Sequence, residues 1–496
     1  MAPAKGTTRA IDSGRASLVI PLIAGACSVC IMALLANRLS LWGDEAFVAQ
    51  TIRLPLPSMV RLLGHIDFNM GAYYLTAKFW ASIFGYSAVA LRALSIVYSA
   101  ATLVVVHRFA NRFYGRRAAA AAVVLLGLNP FFIRIALTAR PYALLQLVTI
   151  AATLWFARAM ADDRARDWVA VVVLDLLSVH VSLLAIFVIA AQALFFLGSR
   201  HPIRRQHMWV AVALCLGMIP TLLFIAPKDT LEWVDPLSPH VVYAVAKTLT
   251  GGSRLLLLAI GVTAVLAMLR PPQVNADSEA RRLRWVVPSA VALPVALILL
   301  ASLYQPLVVD EYFSFILPPT ALIIGAWLSR PPRRALLTGA LAGVLAVIIG
   351  ASAYEDATSV RHRPGVSDQD WRGLSTALSA NVKPGDAIAF VSPYYRIAAE
   401  YYAGPNTAWL RATPILPSAP WHSLTTYQLD LLNRVGVYDN PEEVVNGVAG
   451  HRTVWLVGRI GSAEQHEYEG ALLANGYTER QQLVRDGAEA DLYVKS

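Results

Sequence analysis

Apolar residues run in long blocks broken by short polar connections, from Ala16 to Ala353. A bilayer-spanning helix needs about 20 mostly apolar residues. Blocks of that kind fall at residues 16–37, 88–107, 118–137, 141–160, 168–182, 183–199, 209–226, 252–269, 286–303, 312–329 and 336–353. The pattern predicts a polytopic α-helical membrane protein with about eleven transmembrane helices. The first block is long enough to span and lacks a small-residue cleavage site before its acids, so it reads as a span rather than a cleaved signal.

Two regions break the rhythm. Residues 39–87 form a connection too long for a simple loop, and its pieces AFVAQTIRLPLPSMVRLLG and GAYYLTAKFWASIFG place apolar residues at helical spacing beside a few charges. That pattern suits interfacial helices lying on the membrane. After residue 353 the period changes. DQDWRGLSTALSANV reads as a capped helix, KPGD as a turn, and AIAFVSPYY, TVWLVGRI and ADLYVKS as strands, which predicts a small C-terminal α/β domain over residues 354–496 behind a bundle over 1–353.

Composition agrees with a membrane chain: 56% of the 496 residues are hydrophobic and 15% are charged. Charge then orients it. Starting with Lys5, Arg9 and Arg15, every second connection is basic: RFANRFYGRR, DDRARD, SRHPIRRQH, the segment Arg270 to Arg284, and RPPRR. Cytoplasmic loops carry such an excess, so the N-terminus is expected in the cytoplasm of a cell-membrane protein, and the first loop and terminal domain outside. The net charge of +10 divides into +15 before Tyr354 and −5 from there on. The basic balance is therefore a topology signal, and no nucleic-acid partner is called for. Cys27 and Cys30 lie inside the first apolar run, where they read as small packing residues.

Candidate chemistry gathers on the outward side. Asp44 and Glu45, in LSLWGDEAFVAQ, follow the first span; as acids in a first helical turn they could simply complement the dipole. His65, Asp67 and Asn69 follow in HIDFNMGAYYL, with Tyr73 and Tyr74 suited to a membrane–water boundary. Arg92 begins the second span, and Arg134 and Arg140 bracket the next outward turn. Outward arginines oppose the usual bias, and a guanidinium presents several donors to a phosphate, so the set suits a phosphate-bearing lipid. Lys228, Glu232 and Trp233 in APKDTLEWVDPLSPH, and Asp310, Glu311 and Tyr312, read first as loop polarity and second as accessory residues. Asp175 lies within a span near His180, where an acid is either functional or bonded to a neighbouring helix.

In order along the chain, WGDEA, DFNMGAYYL, ALRALS, RFYGRRAA, NPFFIRIALTARPYALL, TLEWVDP, YFSFILPP and QDWRGLSTAL resemble the GT-C membrane glycosyltransferases. The likeness is to the polyprenyl-phosphate-sugar-dependent branch: protein mannosyltransferases, the aminoarabinose transferase of lipid A, and the RgtA/B/C/D-like enzymes. The resemblance implies inverting transfer of a sugar, mannose first and a pentose second, from a polyprenyl-phosphate donor to a hydroxyl of a glycan, lipid or protein acceptor on the outer face. It implies Asp44 as general base, Glu45 as a supporting acid, and Arg92 and Arg140 at the donor phosphate. The sequence departs from the family where NMGAYY stands for HPPLYY, and where Glu311 precedes a tyrosine often preceded by a basic residue.

Such a reaction needs no cofactor. A carboxylate with an ordinary pKa near 3.9 is ionised at neutral pH and can take the acceptor's proton as the bond forms, while arginines stabilise the departing phosphate. The acids could nonetheless hold a divalent cation. Two other classes compete: a transporter or flippase whose acids couple to ions, and a sugar-lipid-binding homologue without catalysis. No internal repeat is visible, which counts against the transporter.

Overall fold

The computed structural model describes residues 8–65, 67–224, 234–269, 284–329, 369–404, 406–416, 418, 420–422 and 441–496, with Gly339, Gly343 and Gly350. Every apolar run up to residue 329 lies on a helix. These helices are α1 (Thr8–Leu35), α2 (Gly43–Thr51), α3 (Leu56–His65), α4 (Gly71–Phe84), α5 (Ala88–Phe113), α6 (Arg116–Gly127), α7 (Pro130–Ala136), α8 (Tyr142–Asp162), α9 (Ala165–Val179), α10 (Ile186–Gly198), α11 (Arg205–Phe224), α12 (Pro239–Leu249), α13 (Arg254–Leu269), α14 (Val286–Ala301) and α15 (Leu317–Leu328). The eleventh expected span, 336–353, lies outside the described residues save for its three glycines.

Length and composition qualify fewer spans than the eleven expected. Among the described residues four helices are long and apolar enough to cross a membrane, Ala88–Phe113, Tyr142–Asp162, Arg205–Leu223 and Glu311–Leu328, or six if each bent pair is one span. The physical reasons are local. The third run breaks at Asn129, whose side chain caps α7 by accepting from the Phe132 amide, and Pro130 takes the first helical position; the axis turns by 67°. In α9, 15 residues reach only about 22 Å at 1.5 Å per residue.

At the centre α6 packs between α5 and α15. Its alanine-rich face allows close approach: a Cβ on Gly325 would lie 2.7 Å from the Ala122 amide nitrogen and 2.9 Å from the Ala118 carbonyl oxygen, both backbone atoms. Glycine is thus fixed by contact at this crossing. Outside this core, α3 leaves Leu56 and Val60 exposed and α4 leaves Leu75, Phe79, Ile83 and Phe84 exposed, so the first loop carries an apolar outer face.

The terminal segment carries a five-stranded sheet, β1 (Ala387–Phe390), β2 (Thr413–Leu416), β3 (Thr453–Arg459), β4 (Tyr477–Arg485) and β5 (Ala488–Lys495), in the order β2-β1-β3-β5-β4. The first three strands run parallel and β5 is antiparallel to both of its neighbours. Four helices accompany it: α16 (Trp371–Asn381), α17 (Pro393–Tyr402), α18 (Pro441–Val448) and α19 (Ala463–Ala474). Strand alternation splits the burial into two cores. Ile388, Phe390, Trp455, Val457, Ala488 and Ala490 join the large core shared with the bundle, whereas Ala387, Ala389, Val454, Leu456 and Tyr493 join Tyr468 and Leu472 of α19. Asp370 caps α16 by accepting from the Gly373 amide at 2.9 Å.

Candidate active site

The site grows from the turn between α1 and α2. Glu45 is 1% exposed, and its carboxylate accepts from the Ala139 amide at 2.6 Å, from Arg92 Nε at 3.2 Å and Nη2 at 2.7 Å, and from the Trp42 amide at 3.4 Å. Arg92, 2% exposed, spends its other donors on the carbonyls of Ala36, Leu39 and Ser40 at 2.7 to 3.0 Å. All five N–H groups of this guanidinium are engaged within the protein. Arg92, expected at a donor phosphate, ties the turn that follows α1 to the acid in the first turn of α2. Burial of both charges is tolerable because the pair is bidentate and its remaining bonds are filled.

One residue earlier, Asp44 points the other way. Its side chain is 30% exposed and lies 3.4 Å from Arg140 Nη2. Arg140 is 8% exposed and also faces Asp67 at 4.0 Å; its Nε has no hydrogen-bond partner among the described residues. Asp67 accepts from the Tyr74 hydroxyl at 2.7 Å. Thus two carboxylates share one guanidinium, which keeps a donor to spare. Desolvation raises the Asp44 pKa above its ordinary 3.8; Arg140 opposes that rise, and the negative charges of Asp67 and Glu45 add to it.

Aromatic residues wall the site. Tyr73 is buried, and burial pushes its hydroxyl pKa up, as it does for Tyr74. The Arg140 guanidinium lies over the Tyr142 ring, 5.9 Å from its centroid. Arg134 pairs with Asp310 at 2.6 Å and stacks over Phe131, so the loop before α15 reaches this region. Asn69 sits half-buried in a 3-10 turn, Phe68–Met70, and His65 closes α3. Asp175 is buried between helices and accepts from Gln192 Nε2 at 3.2 Å, an interhelical bond of the kind that was one of its two expected readings. Lys228, Glu232 and Trp233 lie outside the described residues.

The sequence reading missed Tyr394 and Tyr402 of α17. The Tyr402 hydroxyl accepts from the Leu41 amide at 2.6 Å, and Ser40 Oγ donates to Asp370 at 2.9 Å while accepting from the Arg372 amide at 3.1 Å. Tyr394 packs on Phe47 with ring centroids 6.3 Å apart, and a Cβ on Gly43 would meet Tyr394 Cβ at 2.9 Å. Asp44 and Asp67 are electrostatic neighbours of its hydroxyl, and burial raises that hydroxyl's pKa. The signal was the run PYYRIAAEYY, whose paired tyrosines recur after seven residues, two helical turns.

Metal chemistry has a place to be tested. Among the described residues, two groups of three metal-ligating side chains occur, Asp163 with His201 and His207, and Glu469 with Glu489 and Asp491; neither includes Asp44 or Asp67. Asp163 is already filled by Arg204, Trp168, Gln206 and His207.

With Asp44 as the general base that the resemblance implies, a pH dependence is expected. A base must be ionised to act, so activity is expected to fall as pH drops through a pKa above 3.8. Because Arg140 lowers that pKa, Arg140→Gln should move the acid limb of kcat/KM to higher pH, in addition to any loss of rate. A limb unmoved in that variant would show that another group sets it.

Comparison with known proteins bears on the fold. A family model described as dolichyl-phosphate-mannose-protein mannosyltransferase matches residues 70–224. No curated protein matches the chain in sequence. Among solved structures, the crystal structure of ArnT from Cupriavidus metallidurans bound to undecaprenyl phosphate is 12% identical with a TM-score of 0.60, covering 95% of this chain and 97% of that one. The apo oligosaccharyltransferase of Archaeoglobus fulgidus is 11% identical with a TM-score of 0.55, covering 97% and 74%. The arabinofuranosyltransferase AftD from Mycobacteria is 16% identical with a TM-score of 0.52, covering 96% and 39%, so the chain spans about two-fifths of AftD's length. The chain has the fold of the GT-C membrane glycosyltransferases, as its motifs predict, and is an integral membrane protein.

Proposed function

We propose that this chain is an inverting glycosyltransferase that moves a sugar from a polyprenyl-phosphate donor to a hydroxyl on the outer face of the membrane. The observation that carries the reading is the unequal treatment of the two adjacent acids. Glu45 is locked in the protein by Arg92, while Asp44 is left 30% exposed against an arginine with an unused donor. The ArnT structure bound to undecaprenyl phosphate supports a lipid-phosphate donor, and the description of the matched family model favours mannose, with a pentose second.

In this mechanism Asp44 accepts the proton of the acceptor hydroxyl as its oxygen attacks the anomeric carbon. The bond from that carbon to the phosphate oxygen breaks on the opposite side, and the polyprenyl phosphate leaves with the electron pair. Arg140 stabilises the growing phosphate charge. Glu45 and Arg92 are positioning residues that fix the turn on which Asp44 stands. Tyr74 and Arg140 orient Asp67 at the same opening. The Arg134–Asp310 pair borders the site and is assigned as accessory. With the N-terminus in the cytoplasm, this opening and the terminal sheet lie outside. The boundary between bundle and terminal domain is placed at residues 353 and 354.

The purified protein in vesicles should transfer label from polyprenyl-phosphate mannose to an acceptor and release free polyprenyl phosphate. Absence of transfer with mannose and pentose donors, alongside movement of substrate across the vesicle, would establish the transport reading instead. Nothing among the described residues favours transport.

A further inference from the structure

Beneath α19, on the face of the terminal sheet turned away from the bundle, three carboxylates converge. Glu489 and Asp491 are two apart on β5, so they share a face with Tyr493, and Glu469 comes from α19 above them. One oxygen from each of the three lies within 4.8 Å of the others. Glu489 is 5% exposed and Asp491 is 1% exposed.

Their partners do not balance the charge. Asp491 Oδ2 accepts from Gln465 Nε2 at 3.0 Å, but its Oδ1 has no hydrogen-bond partner among the described residues although it is fully buried. Glu489 accepts a long bond of 3.3 Å from the neutral amide of Gln482. Glu469 meets only the exposed ring of His466, at 3.1 Å. No Lys or Arg pairs with any of the three among the described residues, in contrast to Glu45 and Asp163 in the same chain. An uncompensated buried carboxylate is costly, and three together repel. Oxygen-only donors of this kind, carboxylates on a strand and an opposing helix, match a hard divalent cation and match a soft or nitrogen-preferring metal poorly.

We infer that Glu469, Glu489 and Asp491 form a divalent-cation site, with calcium the expected occupant, that ties α19 to β5 and is separate from the Asp44 site. Asp491 keeps an oxygen without a hydrogen-bond partner among the described residues, and Glu469, at the rim, gives the ion its way in. Water would complete the shell, since calcium takes 6 to 8 oxygens, typically about 7.

The test uses the full-length protein in detergent. Calcium at about 1 mM, the weak end of extracellular affinities, should raise Tm over the same protein in chelator. Terbium should give a saturable luminescence excited through nearby tyrosine and displaced by calcium. The double variant E489Q/D491N should lose both responses, yet be at least as stable as the unsubstituted protein in chelator, because the repulsion is gone. A D44N/D67N variant should keep both responses. If neither calcium, magnesium nor manganese shifts Tm, or if E489Q/D491N responds as the unsubstituted protein does, the site is refuted. Should the double variant not fold, the metal titration of the unsubstituted and D44N/D67N proteins decides: a shift lost in D44N/D67N would place the ion at the other acids and overturn the inference.

Discussion

Asp44→Asn is expected to cut turnover by about 100- to 10,000-fold, the range that a positioned general base contributes, while leaving donor affinity largely intact. The substitution is nearly isosteric, so it keeps the packing of α2 and removes the proton acceptor alone. Arg140 then loses one of its two carboxylate neighbours and retains Asp67 at 4.0 Å. Measured as initial rates under saturating donor, with binding followed separately, the loss should fall on kcat. Near-normal turnover in Asp44→Asn would remove Asp44 from the role of base and move attention to Asp67, which shares the same guanidinium.

Arg92→Ala is expected to act through the fold. Truncating Arg92 leaves the Glu45 carboxylate buried beside the Ala139 amide without a counter-charge, and it frees the carbonyls of Ala36, Leu39 and Ser40. Breaking one side of a buried pair typically costs about 3 to 5 kcal/mol. The measurable result is a large fall in Tm or in the yield of folded protein. Pairing the change with Glu45→Gln, which removes the stranded charge, should recover much of the loss. A donor-phosphate contact predicts otherwise: Arg92→Ala would keep its Tm and lose donor affinity, and Glu45→Gln would not rescue it. The outcome separates a residue that grips the substrate from one that grips the turn.

The sequence carries the apolar runs, the alternation of basic connections, and the motif order that leads to the fold, because hydropathy and spacing are local properties. It does not carry which way neighbouring side chains turn. Asp44 and Glu45 are adjacent and chemically alike, and only the meeting of α1, α2 and α5 sends one to Arg92 and the other to Arg140. In the same way, Arg92 and Arg140 looked equivalent as outward arginines; their difference lies in how many carbonyls surround each. The break at Asn129–Pro130 falls inside the run 118–137, because a window on hydropathy passes over a cap and a helix-starting proline. Tyr394 and Tyr402 were hidden for a different reason: their partners Phe47 and Leu41 lie 347 and 361 residues earlier in the chain.

That distance sets a clock on the enzyme's own birth. The turn bearing Asp44 has its Leu41 amide and Ser40 hydroxyl bonded to Tyr402, Asp370 and Arg372, and its Gly43 pressed on Tyr394. At about 5 to 20 residues per second of synthesis, these partners follow the turn by roughly 20 to 70 s. Over that interval the helices of the bundle are themselves being made, and the first loop stands without these contacts. The newly made chain therefore waits for its own last third before that loop is fully secured.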